Sequence, residues 1–343
     1  MNNKPLVSIL IPVYNVEKYI ERCARSVFEQ TYENLDIIFV DDCTPDNSIA
    51  VLERVTTDYP NRKDQIRIIH HEHNRGVAAA RNTLVAAAKG EYIMFVDSDD
   101  WLVLNGVELL VNRQQETNAD IVTSRAYWQK AEGIVEYWNG GLSIDKDEII
   151  KRLIDQSFSR SLWRRIIRTS LYRDHHISFC EGVNMGEDAL VIIPLFYFAK
   201  TISYLDAFTY WHGSDVADSI VSSYPMDYNL QDQLEKAELL ISDFFLSKNQ
   251  SYYVLACIAL MRIKQDHMFF AADKNDKERY NLKANEIFLH HEYWPAIKWN
   301  LAPLRWIERD YYRYKTFFPL LKLYRWMRTL FMAPNKSSSS LLK

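Results

Sequence analysis

Three carboxylates in four residues, Asp97-Ser98-Asp99-Asp100, directly follow the apolar run Tyr92 to Val96. Acids held this close repel one another. A hard cation such as Mg²⁺ or Mn²⁺ relieves that repulsion while bridging to diphosphate oxygens. The competing reading is a helix cap, since acids after a strand often cap the next helix, here one opening near Trp101-Leu102, with Asp100 as the cap. A second pair, Asp41-Asp42, ends another apolar run. A carboxylate there can accept the imide N–H of uracil or a ribose hydroxyl, with Tyr14 packed on the base and Pro12 shaping the turn. His70, His71 and His73 invite a metal reading, but on a strand 70 and 71 face opposite sides and form no chelating face.

The elements that must position these groups are legible in the apolar pattern. Val7 to Val13, Ile37 to Val40, Ile66 to Ile69 and Tyr92 to Val96 are short runs of the kind that form strands buried on both faces. Between them, Ile20, Cys23, Ala24, Val27 and Phe28 fall at helical spacing, as do Ile49, Leu52 and Val55 behind the turn at Thr44 to Ser48. The Ala-rich stretch Val77 to Lys89 reads as a third helix, stopped by a C-terminal cap at Gly90. Strand and helix therefore alternate as right-handed βαβ units of a mainly parallel sheet with helices on both faces. In such α/β sheets ligands bind outside the carboxyl ends of the strands. Here that edge carries Tyr14-Asn15, Asp41-Asp42, Asn74-Arg75-Gly76 and Asp97-Ser98-Asp99-Asp100, so polar residues converge from all four strands.

Beyond about Asn118 the pattern loosens. Ile121 to Thr123 reads as a strand and Trp128 to Trp138 as an irregular aromatic stretch. Ser161 to Ile192 holds a basic, helix-like piece, and Gly186-Glu187-Asp188 opens an apolar helix through Ala199. Tyr204 to Trp211 reads as a late strand, and the chain is helical from about Tyr228. These shifts suggest a catalytic domain over 1–225, with a nucleotide-binding half at 1–117 and an acceptor half at 118–225. A helical C-terminal region then covers 226–343.

The bulk properties bound the class. In 343 residues, 48% hydrophobic and 25% charged is an ordinary globular balance, and a net charge of −4 disfavours nucleic acid as a partner. The four cysteines, Cys23, Cys43, Cys180 and Cys257, are widely spaced and suit a reducing compartment. Met1 to Pro5 shows no signal-peptide core, and no apolar run is long enough to span a bilayer, so the expected location is the cytoplasm. Lys298 to Lys343 differs: ten Lys or Arg face only Glu308 and Asp310, interleaved with ten Trp, Tyr and Phe. Such a mixture suits a membrane headgroup layer, so peripheral contact with the inner face of the membrane is expected there.

Four motifs taken together resemble the glycosyltransferases of family 2. They are Val7 to Asn15 (VSILIPVYN), Phe39 to Ser48 (FVDDCTPDNS), Asn74 to Asn82 (NRGVAAARN), and Gly90-Glu91-Tyr92 through Trp101-Leu102, in order across the first 100 residues. The resemblance implies a GT-A fold, a nucleotide-sugar donor and inversion at the anomeric carbon. Carried over, Pro12, Tyr14, Asp42 and Arg81 would line the nucleotide with Asp41 close by. Asn15, Arg75, Gly76 and Ser98 stand in the same loops, Asp97 would meet ribose or sugar, and Asp99 would bind the metal. Met185 to Asp188 resembles the family's acidic pair, whose Asp deprotonates the acceptor hydroxyl, which makes Asp188 the expected base and Glu187 an acceptor-side neighbour. As acids at a helix N-terminus the two are also simply well placed beside its dipole. Leu162 to Arg165 resembles an acceptor-side segment in which Trp163 stacks on a sugar, and His212 resembles a histidine that completes the metal shell.

The expected activity is transfer from a UDP-hexose or UDP-N-acetylhexosamine to a glycan or lipid-linked acceptor in polysaccharide synthesis. A non-catalytic nucleotide-sugar-binding module is the alternative. A phosphohydrolase built on Asp-x-Asp places its nucleophile after the first strand, whereas this motif follows the fourth.

Overall fold

In the computed structural model the described residues are 4–130, 133–137, 145–213, 228–253, 255–257 and 259–260. The basic aromatic segment 298–343 lies outside them. By its internal contacts the chain divides into Met1–Ile241 and Ser242–Lys343.

The first unit opens with β1 (Val7–Val13), α1 (Ile20–Phe28), β2 (Leu35–Asp41), α2 (Ser48–Thr57), β3 (Ile66–His70), α3 (Val77–Ala87) and β4 (Tyr92–Phe95). It continues through β5 (Trp101–Leu102), α4 (Gly106–Thr117), β6 (Ile121–Lys130), β7 (Gly133–Tyr137), α5 (Lys146–Ile154) and β8 (Arg165–Arg168). Then come α6 (Thr169–Asp174), α7 (Glu187–Phe198), β9 (Ile202–Gly213) and α8 (Tyr228–Leu246), which runs into the second unit.

One sheet carries the order β3-β2-β1-β4-β8-β6-β9-β5, with β7 paired to β6. The four strands expected from the sequence form its parallel half, β1 lying between β2 and β4. Their apolar character follows from burial on both faces. Ile9, Ile11 and Val13 of β1 join Ile20, Cys23, Ala24 and Val27 of α1 in one core, while α3 packs on β1 and β2. The second half is mixed: β8 is antiparallel to both β4 and β6, and β9 is parallel to β6.

Four local expectations change. The segment after Asp100 is the short strand β5, paired to the end of β9, and the next helix begins only at Gly106, so Asp100 caps no helix. The aromatic stretch begins as the end of β6, a ten-residue strand whose pairing with β9 shifts register around Arg125. The basic piece around Arg165 is strand β8. Gly90 is no left-handed cap either: α3 ends at Ala87, and Gly90 is needed for close approach. A Cβ on it would stand 2.5 Å from Ser8 N, 2.7 Å from Tyr92 O and 2.9 Å from Leu6 O, all backbone atoms with no room to yield. Replacing Gly90 by Ala should therefore destabilise the fold by about 1–3 kcal/mol or more, read as a lowered denaturant midpoint. An unchanged midpoint would show that the β1–β4 junction relaxes.

Among the described residues no helix is long and apolar enough to cross a membrane.

Candidate active site

The carboxyl edge of the parallel half gathers the acidic run. β4 gives way at Val96, whose N–H still bonds Leu10 O at 3.0 Å, and the Asp100 N–H closes a turn on Asp97 O at 3.0 Å. The Asp97 N–H donates to the Tyr210 hydroxyl at 3.1 Å, and the Arg22 guanidinium donates to the Asp99 carbonyl at 3.1 Å. Backbone and turn thus fix where the four residues point. Ser98 is buried and Asp100 fully so, whereas Asp97 and Asp99 are half-buried.

Apart from its own backbone N–H, the Asp99 carboxylate has no hydrogen-bond or ion-pair partner among the described residues. Burial, then Asp100, then Asp97, push its pKa up to about 7. His212, at the end of β9, places Nδ1 3.1 Å from Asp100. Its ring lies stacked on Trp163, centroids 5.3 Å apart. Burial lowers the His212 pKa, but Asp100, Asp97 and Asp99 outweigh it and leave the pKa raised.

An unpaired carboxylate in an acidic environment, beside an imidazole with one nitrogen uncommitted, is chemistry that suits a hard or borderline divalent cation. Among the described residues no three His, Cys, Asp or Glu side chains enclose a cation by themselves. Mg²⁺-type ions are commonly held by one or two protein groups with phosphate oxygens completing the shell, so Asp99 and His212 fit as such a partial set. A pH dependence follows. Asp99 has a folded pKa above its unfolded value, so its contribution favours folding at low pH and is lost as pH rises from about 4 toward about 7. A cation reverses that cost only when the ligands have shed their protons. Mn²⁺ with UDP should therefore raise the melting temperature more at pH 8 than at pH 6. A shift that is larger at pH 6 would contradict this assignment.

The start of α7 meets the parallel half of the sheet at Arg81. This α3 side chain, only 6% exposed, donates from Nη1 to Glu187 at 2.8 Å and to Asp188 at 2.6 Å, and from Nη2 to Asp97 at 3.1 Å. Burial disfavours its charge, but Asp188, Asp97 and Glu187 overcome that and hold its pKa above the usual value. The acids stand where they do because α7 starts at Glu187, just after Gly186 turns the chain in the left-handed region at φ +80°. Leu234 and Ala237 of α8 leave no room there for a Cβ. Asp188 also accepts from the Leu162 N–H at 3.2 Å. Burial first, partly offset by Arg81 and reinforced by Asp97, raises the Asp188 pKa. Burial and then Asp188 raise that of Glu187. A carboxylate whose proton affinity is raised in this way is suited to accept a proton.

The residues expected around the nucleotide divide into free and committed. Tyr14 is 47% exposed at the end of β1, and Asn15 follows it in the left-handed region at φ +54°, its N–H on Thr44 Oγ1 at 2.8 Å. Pro12 is half-buried at a β1 position beyond the last β4 pairing, where its missing N–H costs no ladder bond. Asp41 accepts from the Thr44 N–H at 2.8 Å and lies 2.9 Å from His70 Nδ1.

Asp42 is buried and fully engaged. Its oxygens accept from the N–H groups of Arg75 at 2.9 Å and Gly76 at 2.8 Å, and lie 2.7 Å from His71 Nδ1. It therefore shapes the β3–α3 loop, in which Gly76 at φ +86° needs its lack of a side chain because Asn184 stands 2.8 Å from a Cβ position. The Arg75 guanidinium reaches Glu181 at 3.2 Å. Arg81 and Asp42 thus spend these hydrogen bonds inside the protein. Trp163 is 9% exposed and stacked on Tyr210 and His212, so it supports the histidine and leaves no open face for a sugar.

Sequence reading missed Tyr210, the contact of His71 with Asp42 and the real setting of Asp100. The signal for Asp100 and Tyr210 lies in the pairing of β5 with β9, a contact more than 100 residues apart in the chain.

Residues 8–178 match the family described as Glycosyl transferase family 2. The chain is 32% identical over 239 residues to the uncharacterised glycosyltransferase EpsJ of Bacillus subtilis (strain 168), spanning 67% of this chain and 68% of that protein. It spans 60% and 64% of the length of two other curated relatives. Among solved structures, S. aureus TarS 1-349 in complex with UDP superposes with a TM-score of 0.66 at 20% identity, over 91% of this chain and 92% of that one. The mannosyltransferase PcManGT from Pyrobaculum calidifontis, in complex with GDP-Man and Mn²⁺, gives 0.50 at 14% identity, over 86% and 83%. At these identities the likeness shows the fold, which is GT-A. With the family match and the EpsJ alignment, it places this chain in glycosyl transferase family 2, as a glycosyltransferase.

Proposed function

We propose that the chain moves a sugar from a UDP-linked donor, a UDP-hexose or UDP-N-acetylhexosamine, to a hydroxyl of a glycan or lipid-linked acceptor in polysaccharide synthesis, with inversion. The observation that carries this reading is the meeting of donor-side Asp97 and acceptor-side Glu187 and Asp188 on one buried guanidinium, beside the unpaired Asp99. Support for the donor class comes from the exposed Tyr14 ring at the carboxyl end of β1 and from TarS, a protein of this fold solved with UDP.

In this reading Tyr14 packs on the base, and Asp97 and Ser98 meet ribose or sugar. Asp99 and His212 hold a divalent metal, Mn²⁺ or Mg²⁺, which when bound stabilises the charge developing on the departing diphosphate. Asp188 takes the acceptor proton as its oxygen attacks from the face opposite the leaving group. Arg81 and the Leu162 N–H keep Asp188 in place, and Glu187 stands beside it on the acceptor side.

The test is turnover: release of UDP from a panel of UDP-sugars with Mn²⁺, against GDP- and dTDP-sugars. Activity confined to a UDP-sugar supports the reading, and activity only with another nucleotide overturns the choice of base. The membrane role proposed for the basic aromatic segment rests on composition alone. If a chain ending near Asn300 pellets with anionic vesicles as well as the full chain does, that role fails.

A further inference from the structure

We propose that Asp100 is a positioning residue that holds His212 with its proton on Nδ1 and turns Nε2 toward the metal site, an inference that rests on the metal-dependent reading above. Asp100 is fully buried, and each of its oxygens is engaged by groups from β9. The Tyr210 hydroxyl donates to Oδ2 at 2.7 Å, the Gly213 N–H donates to Oδ1 at 2.8 Å, and His212 Nδ1 lies 3.1 Å from both oxygens. A carboxylate has no hydrogen to give, so the His212 contact requires the hydrogen on Nδ1. Nε2 is then left as the nitrogen with a free lone pair, the form in which an imidazole ligates a metal.

The ring has little freedom to turn away. Trp163 stacks beneath it at 5.3 Å and 12°, and Trp128 lies against it at 5.4 Å. Trp163 also stacks on Tyr210 at 5.0 Å, so the ring that supports the histidine also packs on the tyrosine that bonds Asp100.

The same carboxylate ties the two ligand-bearing segments together. The Tyr210 hydroxyl that donates to Asp100 also accepts the Asp97 N–H, and a Cβ on Gly213 would stand 3.2 Å from the Asp99 carbonyl. The end of β9 is therefore seated directly against the loop that carries Asp99. This accounts for the third acid in the run without making it a ligand: Asp99 faces the site, while Asp100 stands behind the histidine. Carboxylate, imidazole and metal in series is a recurrent arrangement, and removing the outer carboxylate typically weakens metal binding about 10–100-fold.

Two measurements on the full chain test this. In ¹⁵N-labelled wild-type protein, at alkaline pH where the ring is neutral, long-range ¹H–¹⁵N correlations should show His212 as the Nδ1–H tautomer, its signal identified by loss in His212→Gln. An Nε2–H tautomer overturns the proposal. Asn at 100 keeps the volume but turns an NH₂ toward a site lined by donors. With UDP present, Asp100→Asn should bind Mn²⁺ about 10–100-fold more weakly by electron paramagnetic resonance titration, while metal-free UDP binding stays within about twofold. Unchanged Mn²⁺ affinity overturns the proposal, and so does an equal loss of metal-free UDP binding, the mark of a merely structural role. Should Asp100→Asn fail to fold, the wild-type tautomer decides. If wild-type protein takes up no Mn²⁺ with UDP, the metal reading itself falls, and the tautomer still reports whether Asp100 orients the ring.

Discussion

Replacing Asp188 by Asn should lower the rate of UDP release by roughly 10²–10⁴-fold, the usual contribution of a positioned general base. Fold and donor binding should survive the change. Asn retains an oxygen that can accept from the Leu162 N–H, and Arg81 keeps its bonds to Asp97 and Glu187. Stability should hold or rise, and the sign follows from the electrostatics. Burial raises the Asp188 pKa in the folded chain, so its ionised form favours unfolding as pH rises past the unfolded value. Three carboxylates around one guanidinium carry an excess of negative charge, and Asn removes one of them. Steady-state turnover beside a melting curve separates the two effects. Turnover near wild type would remove Asp188 from the chemistry, and a collapsed melting temperature would make it a structural acid.

Arg81→Met should be the most destabilising single change at the site, by about 3–5 kcal/mol. That is the cost of leaving buried charges without their partner. A domain of ordinary stability has about 5–15 kcal/mol in total, so the denaturant midpoint should fall steeply. The aliphatic part of Met fills much of the space beside Phe179, over which the guanidinium now lies, so the loss is chiefly electrostatic. The destabilisation should shrink at pH 5, where the Glu187 and Asp188 carboxylates, whose pKa values burial raises, can take up protons, and grow toward pH 8. Arg81→Lys should rescue only in part, because a single ammonium cannot match the fork that reaches three side chains. A pH-independent loss would mean that Arg81 acts by packing.

How much of this was readable beforehand depended on sequence distance. The parallel half declares itself because each strand is buried on both faces and each helix shows its own apolar stripe, so β1, β2, β3 and β4 are local signals. Asp97, Asp99 and the Glu187-Asp188 pair were legible for the same reason, as acids directly following an apolar strand or opening an apolar helix. What local pattern could not show is where side chains spend their hydrogen bonds. Asp42 and Arg81 look like ligand contacts in sequence, yet they bind backbone N–H groups and carboxylates brought in from up to 107 positions away. Gly90 carries no sign of whether it ends a helix or admits a crossing backbone. Asp100 reads as a cap until β9 pairs with β5 and delivers Tyr210, His212 and Gly213 to it. In each case a non-local contact overrides a sound local rule.

The central claim is that the acidic edge after β4 is a nucleotide-sugar site completed by a metal. Calorimetric titration of the full chain with UDP-sugars, with Mn²⁺ and with chelator, tests it most directly. The expected result is donor binding that strengthens with Mn²⁺, and in Asp99→Ala a loss of that metal-dependent gain with the metal-free affinity preserved. Donor affinity and Mn²⁺ response both unchanged in Asp99→Ala would contradict the account.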